Sequence, residues 1–173
     1  MRNLKLEIEY EGTNYCGWQV QKSPQSIVHS RQKKSIQEVI EKTLRKILQE
    51  KVKLIVSGRT DSGVHAFAQV ANFKTNSGIN REKLQKALNS LLPCDIAINK
   101  IEEADLDFHS RFDAKSKVYR YKILNRAYPC VFLRNTTYFY SYPLDIKLMR
   151  QEARCLLGRH DFKSFCASGS SAK

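Results

Sequence analysis

The sequence predicts an α+β fold, and three observations predict it. Leu4-Lys-Leu-Glu-Ile-Glu-Tyr10 alternates strictly between apolar and polar residues, as a half-buried strand must. Ser35 to about Gln49 carries apolar residues at helical spacing behind a capping pattern. Strand-like and helix-like stretches then follow in the order β-α-β-β-α-β.

In the first strand Leu4, Leu6, Ile8 and Tyr10 share one face. Glu11 to Gly17 is a turn-rich loop leading to Trp18, the only tryptophan. The polar, basic stretch from Gln21 to Lys34 has little to bury and is expected to be a flexible basic loop. Ser35-Ile-Gln-Glu38 fits a capping box, and Ile36, Val39, Ile40, Leu44, Ile47 and Leu48 continue the helix. Lys51 to Ser57 reads as a second strand. Ala66 to Phe73 is apolar on both faces and reads as an interior strand. Asn80 caps a second helix carrying Leu84, Ala87, Leu88 and Leu91, which Pro93 stops. Asp95 to Ile101 is the fourth strand. This order is that of a ferredoxin-like unit, an antiparallel sheet with helices on one face.

Glu102 to Asp107 is a polar connector. Beyond it Lys117 to Leu124 reads as a strand, with Tyr119, Tyr121 and Ile123 on one face. Thr136 to Tyr140 reads as another. Asp145 caps a third helix with Ile146, Met149, Ala153 and Leu156 inward, ended by Gly158. The expected organisation is a ferredoxin-like subdomain over 1–104 and a second, similar subdomain over 105–173 that is incomplete, or truncated.

The 173 residues carry 30 Lys and Arg against 17 Asp and Glu, a net charge of +13. Such an excess favours a polyanionic partner, because neutralising phosphates releases counterions. Cys16, Cys94, Cys130, Cys155 and Cys166 are widely spaced and form no Cys-x-x-Cys pair, which argues against a zinc ribbon or a disulfide framework. His29, His65, His109 and His160 are equally scattered. No apolar stretch is long enough to span a membrane and no secretory signal opens the chain, so a cytoplasmic location is expected.

Ser57-Gly-Arg-Thr-Asp61-Ser-Gly63 joins two predicted core strands, where a tight turn can aim a side chain. A carboxylate is an anion at neutral pH without special help, and an adjacent arginine would fix its orientation. Asp61 therefore suits a nucleophile or an electrostatic stabiliser better than a general acid. An Asp satisfying its own turn is the ordinary alternative. Phe108-His-Ser-Arg-Phe112 and Tyr119-Arg-Tyr121 interleave rings with guanidinium groups, and rings stack on unpaired bases while arginine holds phosphates. Tyr-Arg-Tyr alone also fits an ordinary amphipathic strand.

The ordered set Gly17-Trp-Gln19, Ser35-Ile-Gln37, Gly58-Arg-Thr-Asp-Ser-Gly-Val-His65, Ala87-Leu-Asn89, Leu92-Pro93, Asp95-Ile96, Phe108-His-Ser-Arg-Phe112, Tyr119-Arg-Tyr121 and Asp161-Phe-Lys-Ser-Phe165 resembles the TruA family of tRNA pseudouridine synthases. The resemblance runs along almost the whole chain in the family's order. Ser62 stands where family members usually have Ala, and no Met-Val-Arg-type segment follows the last motif. The resemblance implies a pseudouridine synthase fold and a cofactor-free, metal-free isomerase working as a homodimer on tRNA. It implies conversion of uridine to pseudouridine in the anticodon stem-loop, at positions 38, 39 and 40 of standard tRNA numbering. By match Asp61 is the essential carboxylate, Arg59 contacts the RNA and helps the flipped nucleotide enter, and Tyr119 stacks on the target uracil and helps move its proton; all three are expected catalytic residues. His65, Arg111 and Arg120 are further expected RNA contacts. The alternative is a catalytically inactive tRNA-binding module that keeps charge and stacking.

Overall fold

A computed structural model describes residues 1–19 and 33–165. Most of the expected basic loop and the polar tail, with His29 and Cys166, lie outside the described residues. The chain divides into two units, Met1–Tyr119 and Arg120–Lys173.

In the first unit β1 (Arg2–Tyr10), α1 (Ile36–Leu48), β2 (Ile55–Val56), β3 (Ala66–Thr75), α2 (Arg81–Leu91) and β4 (Ile96–Ala104) follow the predicted order. The strands form one antiparallel sheet in the order β2-β3-β1-β4. Capping fixes where the helices begin. The Ser35 hydroxyl accepts the Glu38 N–H at 3.2 Å, and the Asn80 side chain accepts those of Glu82 and Lys83. The alternating face of β1 is buried, as Leu4, Leu6, Ile8 and Tyr10, against Ala71 and Phe73 of β3 and Ile96, Ile98 and Ile101 on β4. Ile36, Ile40 and Leu44 of α1 and Leu84 and Leu88 of α2 complete this core. Each such side chain fully removed from water contributes about 1.5–3 kcal/mol.

The second strand is shorter than the sequence suggests. Only Ile55 and Val56 pair with β3, while Val52 and Leu54 are buried without joining the ladder. The Leu54 N–H is satisfied instead by the Glu41 carboxylate of α1, at 2.9 Å.

The sheet's second face is not bare. Residues 105–112 cross it, held by polar side chains that sequence reading did not single out. Asn3 donates to the Asp105 and Phe108 carbonyls at 2.8 and 2.9 Å. Asn72, wholly buried, donates to Asn3 and accepts both the N–H and the hydroxyl of Ser110, at 2.9 and 2.8 Å. Lys5 sits 5.9 Å from the Phe108 ring and pairs with Glu102.

The second unit holds β5 (Ile123–Asn125) and β6 (Tyr138–Tyr140), which pair in parallel, and α3 (Ile146–Glu152). The expected strand from Lys117 shrinks to β5, because only three residues find a partner strand among the described residues. The third helix also differs. It ends at Glu152 and gives way to a 3₁₀ turn over Ala153–Leu156, while Ile146 and Leu156 are mostly exposed rather than inward. No residue of this unit is buried among those described, so periodicity there has no core to answer to.

Replacing Asn72 by Leu leaves the Ser110 N–H and hydroxyl without their acceptor. The variant is expected to lose about 1–3 kcal/mol in urea unfolding, with faster amide exchange at Ser110 than elsewhere in the sheet. Unchanged exchange at Ser110 would contradict the latch.

Candidate active site

The turn between β2 and β3 is held on every side by its own neighbours. Ser57 donates its N–H to the Val70 carbonyl at 2.9 Å and its hydroxyl to Gln69 at 2.7 Å. Gln69 returns its amide to the Gly58 carbonyl, also at 2.7 Å. The Val64 N–H closes on the Asp61 carbonyl at 3.2 Å, with Gly63 at φ +80°, a turn position that suits glycine.

A second loop, residues 11–18, packs against this turn from behind. The Trp18 N–H donates to the Thr60 carbonyl at 2.9 Å, and the Ser62 hydroxyl to the Tyr15 carbonyl at 3.0 Å. The buried Tyr10 hydroxyl meets the Thr60 hydroxyl at 2.8 Å. The His65 Nδ1 accepts the Gly12 N–H at 3.0 Å, which sets the ring's tautomer. Two glycines let the backbones meet. A Cβ on Gly12 would fall 2.0 Å from the Val64 carbonyl oxygen, and one on Gly17 would fall 2.7 Å from that of Thr60. Gly17 also has φ +92°. The same loop is tied to α1, since Ile36 and Gln37 donate to the carbonyls of Gly17 and Trp18.

Asp61 thus has a fixed backbone and an exposed side chain. No ion pair joins it to Arg59 among the described residues, so the turn and not the guanidinium holds it in place. Arg59 is exposed on the same turn. Lys117 runs alongside, its Nζ 3.0 Å from where a Gly58 Cβ would stand. Two residues on, Tyr119 is exposed and near enough to Tyr10 to bear on its titration. Burial pushes the Tyr10 phenol above its ordinary range; hydrogen bonds from Thr60 and Gln69 oppose the rise and Tyr119 adds to it.

The structure therefore gathers Arg59, Asp61 and His65 on one turn, with Tyr119 near its Tyr10 support. Arg111 stands on the segment crossing the sheet, its guanidinium 5.7 Å from the Phe112 ring. Arg120 opens the second unit and is exposed there. Sequence reading missed Tyr10, Gly12, Gly17 and Gln69 as site supports. A polar residue inside the apolar stretch Ala66 to Phe73 was the available signal for Gln69. Gly17 stands in the Gly17-Trp-Gln19 motif, but nothing local pointed to what either glycine approaches, since their partners lie more than forty residues away.

A family model described as tRNA pseudouridine synthase matches residues 7–113, more than half of the chain. The chain belongs to this family. Among its curated relatives is the tRNA pseudouridine synthase A of Acetivibrio thermocellus, 50% identical over all of this chain and 67% of that protein. That of Thermoanaerobacter pseudethanolicus is 48% identical over 99% of the chain and 66% of its own length. That of Clostridium acetobutylicum is 49% identical over the whole chain and 67% of its length. The chain thus spans about two thirds of the relatives it matches. The tRNA pseudouridine synthases are isomerases, and the turn described above falls inside the matched region.

Gly17→Ala adds a Cβ into the Thr60 carbonyl at a positive φ. It is expected to destabilise the chain by more than about 2 kcal/mol in denaturant unfolding. Gly63→Asn, where nothing lies within 4 Å, should lose less than about 1 kcal/mol. Equal losses would contradict the close approach of the two loops.

Proposed function

We propose that the chain isomerises uridine to pseudouridine in the anticodon stem-loop of tRNA, at positions 38, 39 and 40, with Asp61 as the essential carboxylate. The observation that carries this reading is an exposed carboxylate on an immobilised turn, within the region that matches the family.

The reaction breaks the C1′–N1 glycosidic bond, turns the base, and forms a C1′–C5 bond; N1 gains a proton and C5 loses one. A carboxylate can add to the sugar or base, or stabilise charge as the glycosidic bond breaks. It needs no metal or cofactor. The target uridine must leave its stack, at a cost of a few kcal/mol. Tyr119 offers a ring for the displaced uracil, and one stacked base is worth about 1–3 kcal/mol. Arg59 meets the RNA from the Asp61 turn, which His65 secures, while Arg111 and Arg120 add phosphate contacts. The net charge of +13 supports a polyanionic substrate.

In this reading the chain has a pseudouridine synthase fold whose first ferredoxin-like subdomain carries Asp61, with the start of a second after it. It works as a homodimer in the cytoplasm. No helix among the described residues is long and apolar enough to cross a membrane.

Asp61→Asn is expected to bring tritium release from 5-tritiated uridine in tRNA to background while tRNA affinity stays within about twofold. Retained release would remove Asp61 from the chemistry. A wild-type chain that binds tRNA without releasing tritium would establish the inactive binding module instead. Arg59→Ala should weaken both binding and turnover, and Tyr119→Phe, which keeps the stacking ring but loses the hydroxyl that helps move the uracil proton, should slow turnover more than binding. Unaltered rates would remove those roles.

A further inference from the structure

A groove of about 1130 Å³ runs along α1, bordered by the end of α2 and by Asn14 and Tyr15. It does not include Asp61. Its walls carry six lysine or arginine side chains against two carboxylates, Glu38 and Glu50. Lys42, Arg45 and Lys46 come from consecutive turns of α1, and their three- and four-residue spacing puts them on one side of the helix. Lys34 precedes this helix and Lys51 follows it. None of these five has an ion pair among the described residues. Of the two carboxylates, Glu50 is turned to the sheet, where it accepts from the Thr75 hydroxyl and the Asn76 N–H.

Unpaired cations gathered on one helix face repel each other and weaken the helix. Tyr15, Val39, Leu91 and Pro93 give the groove apolar surface as well, but the charges around it are what lack partners among the described residues. A chain of phosphates would relieve the repulsion at every position and release its counterions. The groove is also linked to the turn. Tyr15 lines it, and the Tyr15 carbonyl is the acceptor that holds Ser62, next to Asp61.

We propose that this groove binds the phosphate backbone of the RNA substrate away from its target nucleotide. The inference rests on the RNA reading above, but not on Asp61 chemistry. Phosphates seated along Lys42, Arg45 and Lys46 hold the RNA to the helix layer, and the loop of residues 11–18 joins that layer to the Asp61 turn.

The test is the salt dependence of tRNA binding by the full chain, followed by fluorescence polarisation. Lys42→Gln, Arg45→Gln and Lys46→Gln together should lower the slope of log affinity against log salt by about 2 to 3, at 0.7 to 0.9 for each phosphate lost. Lys42→Arg with Lys46→Arg should keep the wild-type slope, which separates lost charge from lost fold. An unchanged slope in a triple variant that melts with wild type overturns the proposal, as does a wild-type chain with no affinity for tRNA. Asp61→Asn distinguishes the two readings. Should it keep both slope and tritium release while the triple variant loses slope, the groove stands and the catalytic assignment falls. An unaltered triple-variant slope beside an inactive Asp61→Asn gives the reverse.

Discussion

The contact of two backbones organises this protein's site. Residues 11–18 lie against the turn that carries Asp61, and they come so close that side chains at Gly12 or Gly17 have no room. Hydrogen bonds follow from that approach: Trp18 to Thr60, Ser62 to Tyr15, Gly12 to His65. Since Gly17 and Trp18 also accept from the first turn of α1, the Asp61 turn is braced against a helix as well as two strands. Rigidity of this sort holds an exposed carboxylate in one place without burying it, and burial would raise the free energy of its charged form.

The same unit shows two ways of holding a loop on a sheet. The Asp61 turn depends on absent side chains, whereas residues 105–112 depend on present ones, the amides of Asn3 and Asn72 meeting Ser110 and the carbonyls of Asp105 and Phe108. Every donor and acceptor in that buried network that faces the segment is occupied, so the segment has one favoured seat. Arg111 is carried by that seat, as Asp61 is by its turn. Arg59 on the Asp61 turn and Lys117 beside it make no ion pair among the described residues, which suits a surface that meets phosphates.

Much of the first unit was legible in the sequence because local signals and burial agree there. Ser35 and Asn80 cap the helices they were expected to cap, and Leu4 to Tyr10 bury the face their alternation marks. The second strand was overread because Val52 and Leu54 are buried for packing while Glu41, not a strand, satisfies the Leu54 N–H. In the second unit, periodicity predicted inward faces for Ile146 and Leu156 that the structure leaves largely exposed. For the site, Asp61 and Arg59 were visible as an unusual turn, but the expected pairing of the two is not what holds it. The supports at Gly12, Gly17 and Tyr10 are contacts between distant segments, and no window of sequence contains them.

The central claim is that the chemistry depends on where the braced turn holds Asp61. Its most direct test is the single-turnover rate of pseudouridine formation in tRNA at saturating protein, for Gly12→Ala against wild type. Gly12→Ala removes no proposed catalytic group but forces the Val64 carbonyl to move, and the Asp61 turn with it. The account predicts a rate lower by about tenfold or more with tRNA affinity little changed, since a shift near 1 Å can cost about a hundredfold. A variant that folds and forms pseudouridine at the wild-type rate would contradict it.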